Sequence, residues 1–483
     1  MSDLPTPSGE GRSRVLPLSP AEGPLTRSYG YALTVAGLVL LLGMLVQEAV
    51  LAVALILSVC ALVVVAGSPF RTLLLALSLQ VVFSATELYE AGFWVGPFLL
   101  RADMMLMAWV VFAWAATREP GKRYGSIGYL GGLITALLLL TVGGFFHGIA
   151  TDGDPRTATW FLFTLGGYVV FFPAVEVLAS AERRKAFLYV LFLAGAVSGL
   201  VFLLRGVAGE GLGLYYRSTG LRIALRQPNA MAVILMLLVS TLWTRRRTTY
   251  WLIALGGGAL MLAGIVISQS RALWLGIALA GLMALILGLA RRKGGLPRIR
   301  PTLSLVLIVL VGLGVLSLAG VLTTEQVASR AGAETGSYLL DSAILARFIA
   351  WGAVLEKAEG TALVVGHGLG ETYSCYRPSA GGQRTLGWVD GSFFQALLNL
   401  GLLGVAALGS LYVLALWKAA KLFLVCPGPE DASLCLGIFC SLVVLFTASI
   451  TGPPIIGYRF SALWACLLAM LHVVDRKRMP EER

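Results

Sequence analysis

Long apolar stretches separated by short polar connections dominate the chain. They lie near residues 29–47, 49–67, 71–87, 100–117, 127–147, 158–178, 186–206, 229–244, 249–268, 272–290, 302–322, 393–417, 432–451 and 455–474, fourteen in all. Each approaches or reaches the roughly 20 residues that carry a helix across a bilayer. The apolar runs are continuous and do not alternate with polar residues, so they predict helices and not barrel strands; in hydrocarbon only these two forms satisfy their own backbone groups. The expected fold class is all-α, a polytopic transmembrane bundle of about 12–14 spans with a large, partly helical periplasmic loop. The pattern divides the chain into a Pro-, Ser- and Gly-rich tail at 1–28, transmembrane helices over 29–322 with an outer loop at about 207–228, a large outer loop at 323–392, C-terminal spans at 393–474 and a short tail at 475–483.

Composition strengthens this picture. Of 483 residues, 58% are hydrophobic and 13% charged, with a mean hydropathy of +0.84, whereas a soluble domain carries about 25% charged residues. A soluble fold has too little polar surface to cover so much apolar material. The 57 glycines suit close helix packing in lipid. The net charge of +12 comes without a basic stripe interleaved with aromatics on a soluble domain, so nucleic acid is not an expected partner. Five of the six cysteines lie in or beside apolar runs, leaving only Cys375 in the large polar loop; neither a disulfide framework nor a Cys/His metal cluster follows.

Topology explains the charge better. Alternating the spans from a cytoplasmic N-terminus puts Arg118/Lys122/Arg123, Arg183/Arg184/Lys185, Arg245/Arg246/Arg247, the Arg291 to Arg300 cluster, Lys418/Lys421 and Arg476/Lys477/Arg478 on one side, with 24 of the 37 Lys and Arg residues. That side is predicted to be cytoplasmic. Both termini then lie in the cytoplasm, and residues 1–28 read as a disordered tail before an uncleaved first span. The 207–228 and 323–392 loops share the opposite face with the Gln269 to Arg271 connection. Arginines on that face run against the positive-inside rule. Ordinary loop charge accounts for many of them, but less well for Arg271, squeezed between two apolar runs.

The densest chemistry runs from Asp341 to Gly404: Asp341-Ser-Ala-Ile-Leu-Ala-Arg347-Phe-Ile-Ala-Trp351, then Gly366-His-Gly-Leu-Gly370, then Asp390-Gly-Ser-Phe-Phe-Gln-Ala-Leu-Leu-Asn-Leu-Gly401-Leu-Leu-Gly404. Its order resembles the signature region of the O-antigen ligase and O-antigen polymerase superfamily. Ligases of that family carry a His, then a small polar residue, nine further residues and a glycine at the start of a late span. Here Asp390 stands where the His would be, Gly391 follows, and Gly401 falls on the expected glycine. Arg271-Ala-Leu-Trp-Leu275, preceded by Ser268-Gln-Ser270, fits the family's arginine element, and Arg226-Gln-Pro228-Asn229 resembles its Pro-Asn element. The resemblance covers roughly residues 215–405.

The resemblance implies transfer of a glycan from an undecaprenyl diphosphate carrier to an acceptor hydroxyl, with inversion at the anomeric carbon and with neither a metal nor another cofactor. A diphosphate leaving group gains negative charge as the glycosidic bond breaks, and arginines in a partly dehydrated site stabilise it by bidentate hydrogen bonds. Arg271, Arg226 and Arg347 are the candidates, followed by Arg222 and Arg217; Asn229 opens the span after the first outer loop. Asp390 is the candidate base, with helix N-capping as its structural alternative. His367 is the second candidate base, with a solvated turn as its alternative. Trp351 is either a platform for sugar rings or an interfacial anchor. His147 and His472, at span ends, are not expected to take part.

Expected partners are the undecaprenyl diphosphate-linked donor, a glycan or glycolipid acceptor and membrane lipid, in a bacterial inner membrane. Because the ligases that join O-antigen to lipid A core resemble one another in keeping the His, Asp390 favours a polymerase, with a ligase second. The alternative of another class is a transporter or flippase of lipid-linked oligosaccharide, which predicts internal repeats and mid-span polar sites; neither stands out in this sequence.

Overall fold

A computed structural model describes residues 68–83, 92–95, 98–118, 127–207, 214–217, 220–223, 228–242, 248–268, 270–291, 342–377, 382–452, 454–456 and 460–478. The chain divides into two compact units, Met1–Val63 and Val64–Arg483, and every described residue belongs to the second. The apolar runs expected at 29–47, 49–67 and 302–322, the two tails expected at 1–28 and 475–483 in large part, and Arg226 lie outside the described residues.

In chain order the described elements are α1 (Pro69–Phe83), a hairpin of β1 (Gly92–Val95) and β2 (Phe98–Arg101), α2 (Ala102–Thr117), α3 (Gly128–Ala150), α4 (Pro155–Gly166), a 3-10 turn (Gly167–Val170) and α5 (Phe171–Val177). Next come α6 (Ala181–Val207), a hairpin of β3 (Leu214–Arg217) and β4 (Gly220–Ile223), α7 (Pro228–Leu242), α8 (Thr248–Ile267) and α9 (Arg271–Ala290). The C-terminal part holds α10 (Ser342–Lys357), α11 (Thr361–Val365), a hairpin of β5 (Tyr373–Arg377) and β6 (Gly382–Leu386), α12 (Ser392–Val425), α13 (Pro429–Thr451) and α14 (Ser461–Arg478).

The other eleven predicted runs each coincide with a helix, and among the described residues six helical stretches are long and apolar enough to cross a membrane: 128–150, 155–177, 181–204, 271–290, 392–425 and 429–451. The fold is the expected all-α polytopic bundle. Three features refine it. The 158–178 run is broken into α4, the 3-10 turn and α5, because Gly166-Gly167 lets the chain approach α14 so closely that a Cβ on Gly167 would lie 2.2 Å from Ser461 Oγ. The run at 393–417 is extended to Val425 and kinked at Gly401. Among the described residues the polar connections carry three two-stranded antiparallel hairpins, two of them in the 207–228 and 323–392 loops.

At the centre of the bundle, α13 packs against α7, α9 and α12. All fifteen residues of α7 are buried, which suits a sequence that is apolar on every side, Pro-Asn-Ala-Met-Ala-Val-Ile-Leu-Met-Leu-Leu-Val-Ser-Thr-Leu. Small residues set the spacing: a Cβ on Gly276 of α9 would meet Val444 of α13 at 3.1 Å, and one on Gly437 of α13 would meet Ser240 Oγ of α7 at 2.3 Å. By contrast, α3 and α9 leave Leu139, Phe146, Leu275, Leu282 and Leu289 exposed. A bilayer, not water, is the medium that covers such a surface.

The two ends of the bundle differ in charge. At one end Arg184, 4% exposed, donates to the carbonyls of Leu178 (3.3 Å) and Ala179 (2.9 Å) and pairs with Asp431 at 3.2 Å. Lys185 pairs with Glu430 at 2.9 Å, Arg291 donates to the Cys426 carbonyl at 2.7 Å, and Lys418 pairs with Asp475. These residues belong to the basic clusters assigned to one face from sequence. Replacing Arg184 by Ala removes the tie between α5, α6 and α13; because the Asp431 side chain is 39% exposed, the expected cost is about 2 kcal/mol, between the values for surface and buried pairs. A lowered melting temperature in detergent measures it.

Candidate active site

The opposite end of the bundle is built around the start of α12. Asp390 and Gly391 immediately precede that helix, and the residue at its N-cap is Gly391 (φ 107°, ψ 116°), which makes no side-chain cap. The capping alternative for Asp390 is therefore not what this helix uses: among the described residues the Asp390 carboxylate has no hydrogen bond or ion pair. What holds Asp390 is its backbone. Trp351 Nε1 on α10 donates to the Asp390 carbonyl, and the Trp351 ring stacks on Phe394 at 4.8 Å and 6°. Gly391 is required there, since a Cβ would meet Trp351 Nε1 at 3.3 Å in a backbone conformation that L residues avoid.

The preceding residues are also pinned. Tyr373 Oη donates to the Trp388 carbonyl at 3.1 Å, and the Val389 N–H donates to Gln395 Oε1 at 2.5 Å. Val389 enters a core with Ala350, Val354, Tyr373 and Leu398, whereas Trp388 is exposed and Asp390 half-buried. Trp351 thus serves the β6–α12 connection, and its face toward Phe394 is already covered. Trp351→Phe keeps the stack but loses the N–H donor. The melting temperature in detergent is expected to fall only by the equivalent of about 1 kcal/mol, the net worth of one hydrogen bond.

Arg347 lies one turn before Trp351 on the same helix and so shares its face. Its Nε is buried and, among the described residues, has no hydrogen-bond partner. His367 has a different environment: its N–H donates to the Leu398 carbonyl (2.9 Å), and Nε2 lies 2.9 Å from the Lys357 carbonyl at the end of α10. A carbonyl only accepts, so Nε2 carries the proton and Nδ1 is the ring's acceptor.

His367 belongs to the Gly366-His-Gly-Leu-Gly370 loop, which threads between α3 and α12. Gly366, Gly368 and Gly370 all have positive φ, and a Cβ on Gly368 would lie 2.3 Å from Gly148 N. Gly401 (φ 64°, ψ −162°) breaks α12 beside this loop. A helix break strands carbonyls one turn earlier, and here those of Leu398 and Asn399 accept from the N–H groups of His367 and Gly368. The Leu369 N–H in turn donates to the Gly144 carbonyl of α3 at 2.8 Å. The glycine expected from sequence at 401 is thus the hinge on which the loop is sewn to the bundle.

Arg271 and Asn229 reach this end through α13. Gly276 adjoins Val444, and Cys440 Sγ contacts the Ala280 carbonyl at 3.6 Å, so α9 runs antiparallel to α13 with Arg271 at the level of Ser449 and Ile450. The Ile450 carbonyl would lie 3.4 Å from a Cβ on Gly391. Arg271 and Asp390 are therefore gathered around one end of α13. Ser441 Oγ contacts the Val233 carbonyl at 3.1 Å, which sets buried Asn229 about one turn below that level. Arg217 and Arg222 lie on β3 and β4.

Four residues escaped the sequence reading. Gln395 and Asn399, one helical turn apart on α12, are fully buried; among the described residues Gln395 Nε2 and both side-chain polar atoms of Asn399 have no hydrogen-bond partner, nor has Ser449 Oγ on α13. Buried orphan polar groups are costly and mark functional positions. The available signal was two amides inside an apolar run. Arg156, on α4, is the fourth and lines a cleft described below.

Residues 256–409 match the family model described as O-antigen ligase. The match takes in Arg271, Arg347, Trp351, His367, Asp390 and Gly401, and leaves out Arg217, Arg222, Arg226 and Asn229. Among curated proteins, none matches the chain.

Proposed function

From the match of residues 256–409 to that family model, we propose that the chain is a glycosyltransferase of the O-antigen ligase and polymerase superfamily, acting on an undecaprenyl diphosphate-linked glycan at the outer face of a bacterial inner membrane. The observation that carries the proposal is the gathering of an uncapped carboxylate, Asp390, and the arginines Arg271 and Arg347 at one end of the bundle, opposite the end that holds the Arg184, Lys185, Arg291 and Lys418 contacts.

In this reading the acceptor hydroxyl attacks the anomeric carbon of the donor as its bond to the diphosphate oxygen breaks. Asp390 takes the hydroxyl proton. Arg271 and Arg347 stabilise the charge that builds on the departing diphosphate, and inversion follows from attack opposite the leaving group. Arg226, Arg222 and Arg217 extend the anion-binding set, and His367 supports the loop next to it. Asp390, in place of the ligases' His, favours chain elongation over transfer to lipid A core.

Purified full-length protein incubated with undecaprenyl diphosphate-linked repeat units alone is expected to give a ladder of longer lipid-linked chains. Product only on addition of lipid A core identifies a ligase instead, and binding without transfer in either mixture identifies a transporter. Arg271→Lys keeps the charge but loses the planar fork. It is expected to retain part of the activity that Arg271→Ala loses by about two orders of magnitude, the size seen on removing one preorganised oxyanion donor.

A further inference from the structure

An open cleft of about 430 Å³ lies between the first turns of α4 and the β6–α12 connection, reaching to Trp388, two residues before Asp390. Among the described residues it is lined by Arg156, Thr157 and Trp160 of α4, by Thr385 to Trp388, and by Met104. Arg156 and Trp160, four apart, share one face of α4. The Trp160 and Trp388 rings are 6.2 Å apart and inclined at 57°, so they form two walls and not one closed stack. Trp388 is 46% exposed although its carbonyl is held by Tyr373. Gly387 permits the close approach of the two segments, since a Cβ there would lie 3.1 Å from Thr157 Cγ2.

We propose that this cleft binds the acceptor glycan. The volume falls in the range of roughly 300–1,000 Å³ typical of small-molecule sites. Its walls combine indole faces with the Arg156 guanidinium and the Thr385 hydroxyl. That mixture suits a saccharide, which offers C–H faces to aromatic rings and an edge of hydroxyls, or a uronate carboxylate, to a guanidinium. Burial alternates along the connection, with Trp388 exposed, Val389 in the core and Asp390 half-exposed. Trp388 and Asp390 therefore share a side, two residues apart. In the proposed arrangement a sugar ring held at Trp388 leads toward the Asp390 carboxylate two residues on, and Arg271 stands at the level of Ile450, whose carbonyl adjoins Gly391. The assignment rests on the glycosyl-transfer reading and adds a second substrate position to it.

The test uses full-length protein in nanodiscs free of sugar detergents. The probe is oligosaccharide released by mild acid from lipid-linked polysaccharide, in separate neutral and uronic-acid fractions, with binding read by saturation-transfer NMR. Native protein is expected to bind one fraction saturably, with Trp388→Ala and Trp160→Ala each raising Kd tenfold or more. Trp388→Tyr is expected to retain most of the affinity. Binding of the uronic fraction alone, lost in Arg156→Gln, identifies an anionic acceptor. In elongation assays Trp388→Ala is expected to raise the acceptor KM and leave kcat within about threefold of native. Equal binding by native protein and both tryptophan variants overturns the assignment, as does chain elongation whose acceptor KM is unmoved by Trp388→Ala. If no transfer occurs with lipid-linked repeats but oligosaccharide binding still depends on Trp388 and Trp160, the transfer reading falls and the saccharide site stands.

Discussion

Asp390→Asn is expected to lower turnover by about 10²- to 10⁴-fold, the contribution of a positioned general base, while the protein keeps its melting temperature. The two halves of this expectation come from one observation. The carboxylate takes no part in capping α12, because Gly391 occupies the cap and the Asp390 backbone is held by Trp351. An amide of the same shape therefore leaves the fold intact and removes only the proton acceptor. Measured with lipid-linked repeat units under saturating donor, near-native turnover in this variant would falsify the assignment of Asp390 as base and return the role to His367.

Gly401→Ala is expected to destabilise the protein by about 3 kcal/mol or more and to abolish transfer along with the loss of stability. The backbone there has φ 64° and ψ −162°, and such strained positions cost about 1–3 kcal/mol for residues other than glycine. The added Cβ would also lie 2.3 Å from the Val364 carbonyl and 2.5 Å from Gly366 N, so the Gly366–Gly370 loop has to leave its groove. Gly409→Ala on the same helix is the control. Nothing lies within 4 Å of the Cβ added there, and the substitution is expected to be neutral or stabilising by about 0.5–1 kcal/mol. Thermal unfolding and limited proteolysis around residues 361–370 compare the two; equal melting temperatures would show that the loop is not fastened through the kink.

The bundle was legible in the sequence because the bilayer imposes a length and a composition on each helix, and runs such as 186–206 and 432–451 have no other reading. The break inside 155–177 was less visible, since its cause is the close approach of Ser461, almost 300 residues away, to Gly167. The hairpins at 92–101, 214–223 and 373–386 are short, and short strands leave little periodic signal. In the candidate site, Asp390 and Gly401 stood out in sequence through the resemblance to the family's spaced signature, and a single helix, α12, runs from just after the first to beyond the second. Trp351 showed its aromatic character in sequence but not its task, which depends on α10 lying against the β6–α12 connection. Arg156 and Trp388 are ordinary loop-edge residues until α4 and β6 are brought side by side, and that juxtaposition leaves no trace in local pattern.

The kink in α12 also bears on how the chain is made. Ser392 to Leu400 rises only about 13 Å, whereas Leu402 to Val425 rises about 36 Å, more than the roughly 30 Å hydrocarbon thickness. An insertion machinery that senses apolar length meets 34 continuous residues in which several windows could lodge across the membrane. The partners that select one of them, α3 and residues 361–370, have already emerged from the ribosome by then. Biogenesis therefore supplies the ruler before the segment to be measured, and the depth at which Asp390 comes to rest is decided by chain that was made earlier.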